Sequence, residues 1–256
     1  QTLTVQTLSV EMSEYYQFIN FCLVKEGGTT RYPLFLVKYQ YNKNTNTYIV
    51  IDIELPCKCE AEEFETIYQK YYKAGITNEF IRSKLEGFDV VRLKLNGTFG
   101  RNLELLDPSG NLYIVRFRIQ TALWEDSTGE QHYVSIFPNF IRQFTRPCLS
   151  VLEYISCNTG KGEDIFSHID DRNNIYSCED RMAHILEALD KKCAENDYTG
   201  ILNVRYTTAF NRPIAISTEE VSRNRFPHVF TLILMVREYF GMHFGGLATA
   251  WSIFRF

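Results

Sequence analysis

The 256-residue chain carries 27 Lys and Arg against 31 Asp and Glu, a net charge of −4, with 45% hydrophobic and 23% charged residues. That is the composition of a folded chain long enough for one large domain or two modest ones. The acidic balance argues against a protein that coats nucleic acid without specificity, although net charge does not report the charge of individual faces. The 19 Phe and 16 Tyr are strand formers with large areas to bury, so substantial sheet is expected.

The first predicted strand covers residues 2–10, and residues 12–23 are apolar enough for either element. Residues 32–41 and 48–55 flank the Asn- and Thr-rich tract 42–47, a hairpin signal that ends at Pro56. Residues 60–73 then read as a helix, acidic at the start and basic at the end, as the helix dipole prefers. Gly75 stops it, and Thr77 caps a second helix over 78–85. A β-rich run follows. Strands over 88–95, 101–106, 112–123 and 132–137 are separated by turn signals at Asn96-Gly97, at 107–110 and at 127–129. In the third of these strands Arg116, Arg118 and Gln120 alternate with Val115, Phe117 and Ile119.

Beyond Pro138 the pattern turns helical. Residues 140–155 and 178–194 carry apolar residues at helical spacing around a polar loop over 158–174. Residues 201–208 look strand-like, and 230–240 look helical. In the tail, Phe244, Leu247, Trp251 and Phe254 recur at helical spacing before Phe256, so the tail must dock on its own core or on a partner. The expected fold is α+β. An antiparallel meander over 88–137 packs on helices from 139–196, with a β-rich region 1–87 ending in two short helices and a region 88–256 holding the rest.

Seven cysteines contain no CxxC pair, which points to a reducing compartment and to free thiols. Cys57 and Cys59 stand alone as a CxC without a second pair at zinc-ribbon spacing, so no bound metal and no cofactor is expected. No basic segment followed by an apolar one opens the sequence. The longest apolar run, over 226–236, is about half of what a bilayer span needs. A cytoplasmic, non-membrane protein is the expectation.

Charge is segregated. Residues 70–101 hold seven basic and three acidic residues, while 153–197 hold eleven acidic and five basic ones. Lys70, Lys73, Arg82, Lys84, Arg92 and Arg101 are therefore the candidate phosphate contacts. The helix–Gly75–helix pattern over 67–85 has helix-turn-helix form, with Arg82 and Lys84 on its second helix. Asp52 and Glu54, two apart on a predicted strand and close to Lys58, form a weaker acidic pair of the sort that holds a divalent cation in nucleases. His168, beside Asp170 and Asp171, and His184, four residues after Asp180, suit acid–base work or surface pairing. No nucleophile motif accompanies them.

Gly97, Phe99 and Arg101, the basic strand 116–120, Gly129 and His132, the segment 136–140 and the start of the helix at 178–181 together form a pattern over residues 91–195. It resembles an uncharacterised family of bacterial proteins linked to insertion elements and transposons. That family's plan is a small zinc ribbon followed by a helical, DNA-binding region. Here residues 123–129 contain no cysteine where the family has its second pair, and only Cys57 and Cys59 precede Gly97. The resemblance thus implies a ribbon that has lost its metal and is held by packing. Together with the charge pattern, it implies a non-enzymatic, nucleic-acid-associated accessory protein of a mobile element. The alternatives are a protein-interaction or assembly component, viral structural proteins included, that self-associates or binds a partner through the C-terminal tail, and a divergent metal-dependent nuclease using Asp52 and Glu54.

Overall fold

Turn chemistry and alternation set the strands, and a computed structural model describes residues 47–143, 145–162, 164–169 and 178–256. The elements expected over 2–10, 12–23 and 32–41 lie outside the described residues. The strands are β1 (Thr47–Ile51), β2 (Arg92–Leu106), β3 (Leu112–Glu125) and β4 (Gln131–Pro138). The helices are α1 (Ala61–Glu63), continued by a π turn (Phe64–Tyr68) into α2 (Gln69–Gly75), then α3 (Asn78–Lys84), α4 (Leu149–Asn158), α5 (Cys178–Glu195), α6 (Tyr198–Phe210), α7 (Thr218–Arg223), α8 (Pro227–Phe240) and α9 (Gly246–Phe254). The fold is α+β, as expected.

The sheet order is β1-β4-β3-β2, so β2, β3 and β4 are successive neighbours. β3 and β4 are antiparallel, with Gln120 opposite Ile136 and Glu125 opposite Gln131. The β2–β3 connection is too short for a parallel crossover. It is tied by the Asp107 carboxylate, which accepts from the Asn111 amide N–H and side chain at 2.8 and 2.7 Å.

Asn96-Gly97 does not reverse the chain. β2 runs straight through it, with Gly97 at φ +84 and its carbonyl accepting from Gln120 Nε2 at 2.7 Å and the Thr121 hydroxyl at 3.1 Å. Side chains of the neighbouring strand satisfy the backbone that a positive φ displaces. The dipeptide therefore kinks an edge strand instead of closing a hairpin. The first strand is also shorter than the expected 48–55. Beyond Ile51 the alternation of buried Ile53 and Leu55 with exposed Asp52 and Glu54 persists, but Ile53 N–H bonds the Asn139 side chain at 3.0 Å.

The described residues divide into two units. One comprises 47–51, 73–100 and 118–137. Its core gathers Ile49, Ile81, Leu85, Ile119, Trp124, Val134 and Ile136. Thr77 caps α3 as expected, accepting from Phe80 N–H at 3.1 Å. Gly75 stands at a close approach: a Cβ there would come 2.4 Å from Ile51 Cδ1, so the end of that side chain would have to shift.

The second unit comprises 52–72, 101–117 and 138–256. Its aromatic centre is Phe64, Tyr72, Phe117 and Phe140, whose rings meet at 4.8–6.0 Å. Around it α8 is the hub, packed against α4, α5, α6, α7 and α9. Pro227 opens α8 and Gly241, at φ 64, closes it. The wholly buried Glu153 of α4 joins three helices. It accepts from Arg237 Nε and Nη2 at 3.1 and 2.5 Å and from Leu247 N–H, in the first turn of α9, at 2.7 Å. Leu247, Trp251 and Phe256 are buried, and Phe254 stacks on Tyr198 at 4.4 Å. Each buried side chain of this size contributes about 1.5–3 kcal/mol. The tail thus docks on its own unit, the first of the two outcomes that its apolar spacing left open.

Two other expectations change. The helix expected over 140–155 begins only at Leu149. Pro147 forms an isolated parallel bridge opposite Glu104, whose amide and carbonyl bond Arg146 O and Cys148 N–H, so the backbone just before Leu149 is committed to pairing with β2. Residues 201–208, strand-like by their β-branched content, are helical within α6. Asp197 caps that helix by accepting from Gly200 N–H, and Leu202 and Tyr206 bury one face at i, i+4 spacing.

Candidate anion-binding site

In the second unit four segments converge on a polar cavity of about 310 Å³ lined by Lys58, Ser109, Tyr154, Asn158, Lys161, Ile165 and His168. Each is carried by an anchored backbone. The segment bearing Lys58 is pinned by the Cys59 N–H to Leu106 O bond (2.8 Å) and by the Tyr113 hydroxyl donating to Cys59 O (2.6 Å). Ser109 sits at the tip of the β2–β3 turn. There Gly110 has φ +93, and a Cβ would come within 2.9 Å of His168 O, so only glycine lets the turn approach the short 3-10 helix Ile165–His168.

Tyr154 and Asn158 come from the last turns of α4, and Lys161 follows between Gly160 (φ +86) and Gly162 (φ +87). A Cβ on Gly160 would lie 2.2 Å from Arg223 O. The base of this loop is locked by buried Asn224, which donates to Ser156 O and Thr159 O and accepts from the Thr159 hydroxyl and Phe226 N–H.

Lys58 Nζ donates to Pro108 O at 3.4 Å and lies 4.7 Å from the centroid of the Tyr154 ring. Lys161 Nζ donates to Asn158 Oδ1 at 3.2 Å. Neither ammonium makes an ion pair with the described residues. Each keeps donors for an incoming oxygen, beside the hydroxyls of Ser109 and Tyr154. Carbonyls and a ring face are weak partners for a charge, so the arrangement can bind an anion.

The six candidate phosphate contacts are not gathered here. Lys70 and Lys73 are exposed on α2, and neither is ion-paired among the described residues. Arg82 is exposed and donates to Val90 O at 3.3 Å, and Lys84 lies 5.6 Å from the Phe80 ring. Arg92 stands 3.9 Å from Glu125. Arg101 is half-buried and its Nη2 donates to Arg142 O and Thr145 O at 2.9 and 2.7 Å, so its guanidinium holds the backbone that leads into the Pro147 bridge. The helix-turn-helix pattern does produce two helices around Gly75. Its second helix, however, spans only Asn78–Lys84 with Ile81 buried, a short rod of about 10 Å.

Asp52 and Glu54 are both exposed, as their alternation requires, and Asp52 accepts from the Ser252 hydroxyl at 2.5 Å. Lys58 lines the cavity and makes no ion pair with either of them. Among the described residues the group of three side chains placed to share a metal ion is Asp126, Glu130 and His132, with ligand atoms within 4.8 Å of one another. Asp126 is already occupied there as a turn clamp. Its Oδ1 accepts from the Thr128 hydroxyl and from Thr128 and Glu130 N–H, and its Oδ2 faces His132 Nε2 at 2.9 Å. His184 is exposed on α5, and residues 170 and 171 lie outside the described residues.

The CxC cysteines diverge. Burial pushes the Cys57 thiol up to about 12, with Glu153 and Cys157 adding to the effect. Burial and Glu63 do the same for Cys59. Burial thus favours the protonated thiol at both positions. Sequence reading noticed Lys58 and His168 but joined neither to the cavity, and it missed Lys161. The available signal was the lysine between two glycines at 160–162.

No known protein family, curated protein or solved structure matches the chain.

Proposed function

We propose that this chain is a non-enzymatic, nucleic-acid-associated accessory protein of a mobile genetic element, and that it holds phosphate in the lysine-lined cavity. The observation that carries the reading is the placement of Lys58 and Lys161 in one pocket without a described carboxylate to neutralise either. Lys70 and Lys73 add exposed positive charge that attracts a polyanion. The charge pattern of residues 70–101 and the resemblance over 91–195 supply the mobile-element part of the reading.

The test is fluorescence anisotropy with labelled oligonucleotides, single-stranded and duplex, titrated between about 50 and 200 mM salt. Affinity is expected to fall linearly on a log–log plot, as counterion release demands, and to weaken in Lys161→Ala and in Lys70→Ala/Lys73→Ala. Affinity that is absent at low salt, or indifferent to salt, removes the reading.

A second reading, an assembly component, is favoured by one observation. Leu95 and Phe99 on β2, an edge strand of the described sheet, and Val91 just before it are exposed large apolar residues. A stable oligomer in sedimentation that dissociates in Leu95→Lys, in a protein without nucleic-acid affinity, selects it instead.

A further inference from the structure

The chemistry of the cavity narrows the kind of phosphate it suits. A volume of about 310 Å³ lies at the small end of ligand pockets and cannot admit a duplex. Two lysine ammoniums, from the Cys59-anchored segment and from the Asn224-locked loop, face one space. Ser109 and Tyr154 line it with them, and Ile165 adds an apolar side chain. An internal phosphodiester brings one negative charge and two terminal oxygens. A phosphate monoester brings three terminal oxygens and about −1.5 to −2 charges at neutral pH. Two cations that make no ion pair among the described residues match the second better than the first.

We infer that the cavity receives the terminal phosphate of a nucleic-acid strand, with Lys58 and Lys161 as its two cationic contacts. This rests on the nucleic-acid reading above and adds the end of the strand as what is recognised. The preorganisation is built in. Gly110 and Gly160 allow close backbone approaches, and Asn224 fixes the base of the Lys161 loop, so little ordering cost remains when the anion enters. Ile165 and the Tyr154 ring give the terminal sugar or base an apolar contact beside its phosphate.

The experiment compares two single-stranded oligonucleotides of one sequence, labelled at the 3′ end and carrying either a 5′-phosphate or a 5′-hydroxyl, on the full chain. The phosphorylated strand is expected to bind about tenfold more tightly, the scale of one added charge-assisted contact. Millimolar inorganic phosphate should erase that difference while leaving the weaker binding in place. Lys161→Ala, on an exposed loop residue that does not hold the fold, should abolish the discrimination. Lys58→Gln should do the same, and Lys70→Ala/Lys73→Ala should weaken both strands equally and preserve it. Equal binding of the two strands overturns the inference while the nucleic-acid reading stands. Binding of neither strand at low salt overturns both. Discrimination that survives Lys161→Ala and Lys58→Gln together places the end-recognition outside this cavity and overturns the assignment.

Discussion

In the helical unit the carboxylates of Glu153 and Glu104 are wholly buried, each answered by an arginine, Arg237 and Arg181. In the sheet-rich unit the Asp126 carboxylate sits at a turn and is held by the Thr128 hydroxyl, His132 and two backbone amides, most of them within four residues of it. The first arrangement ties together elements far apart in the chain, since Glu153 joins α4 to residues 237 and 247. The second shapes one hairpin. A buried ion costs several kcal/mol to desolvate and depends on its partner for compensation, whereas a turn carboxylate near water loses little when its contacts go. The difference teaches that long-range order in the helical unit is enforced by a few polar joints, while the described sheet relies on local turns and ladders.

Breaking the strongest joint should have the largest effect. Glu153→Ala leaves Arg237 and the first turn of α9 without their acceptor, and a loss of about 3–5 kcal/mol is expected in urea unfolding. A smaller loss would mean that water reaches Arg237 and that the joint is less dry than its burial implies. Next in size is Asn224→Ala. It orphans Phe226 N–H and removes one partner each from Ser156 O, Thr159 O and the Thr159 hydroxyl, which keeps its bond to Ser156 O, for about 1–3 kcal/mol. It should also loosen the Lys161 loop, seen as faster amide exchange over residues 158–162.

In the sheet-rich unit the expected effects shrink. Thr77→Ala removes the α3 cap at about 1 kcal/mol, measurable as a shift in the denaturation midpoint without a change in slope. The smallest effect sharpens the contrast through pH. The Thr128 hydroxyl, then His132 and the turn amides, hold the Asp126 carboxyl well below the usual carboxylate range. A group depressed on folding stabilises fully above its unfolded value, about 3.9, and loses that contribution as pH falls from there towards the folded value. Thermal midpoints recorded downwards from about pH 5 should therefore decline less steeply in Asp126→Asn than in the parent. Identical declines would show that the clamp does not couple to folding.

Strand alternation made β3 and β4 legible, and Thr77, Gly75 and the 3.6-residue period did the same for α3, α5 and α8. These signals are local, so a sequence window contains them. Asn96-Gly97 was misjudged because a glycine with positive φ suits a hairpin and a kinked strand equally. Only the side chains of Gln120 and Thr121, more than twenty residues away, decide between them. Residues 201–208 show the same lesson with the sign reversed, since their β-branched content yields to the Asp197 cap and the buried Leu202–Tyr206 face. Charge counting likewise cannot see that Arg101 donates to the carbonyls of Arg142 and Thr145.

Amino-acid order by itself determined the α+β class, the meander, the positions of several helices and the need of the tail to be buried. The tertiary structure decided where that tail docks and which basic residues are held by the carbonyls or carboxylates of other described residues. It also brought Lys58, Ser109, Tyr154, Lys161 and His168 to one cavity. The reason is physical: periodicity and capping act over a turn or two of chain. The cavity gathers residues 58 to 168 through backbone approaches at Gly110 and Gly160, which no local preference encodes.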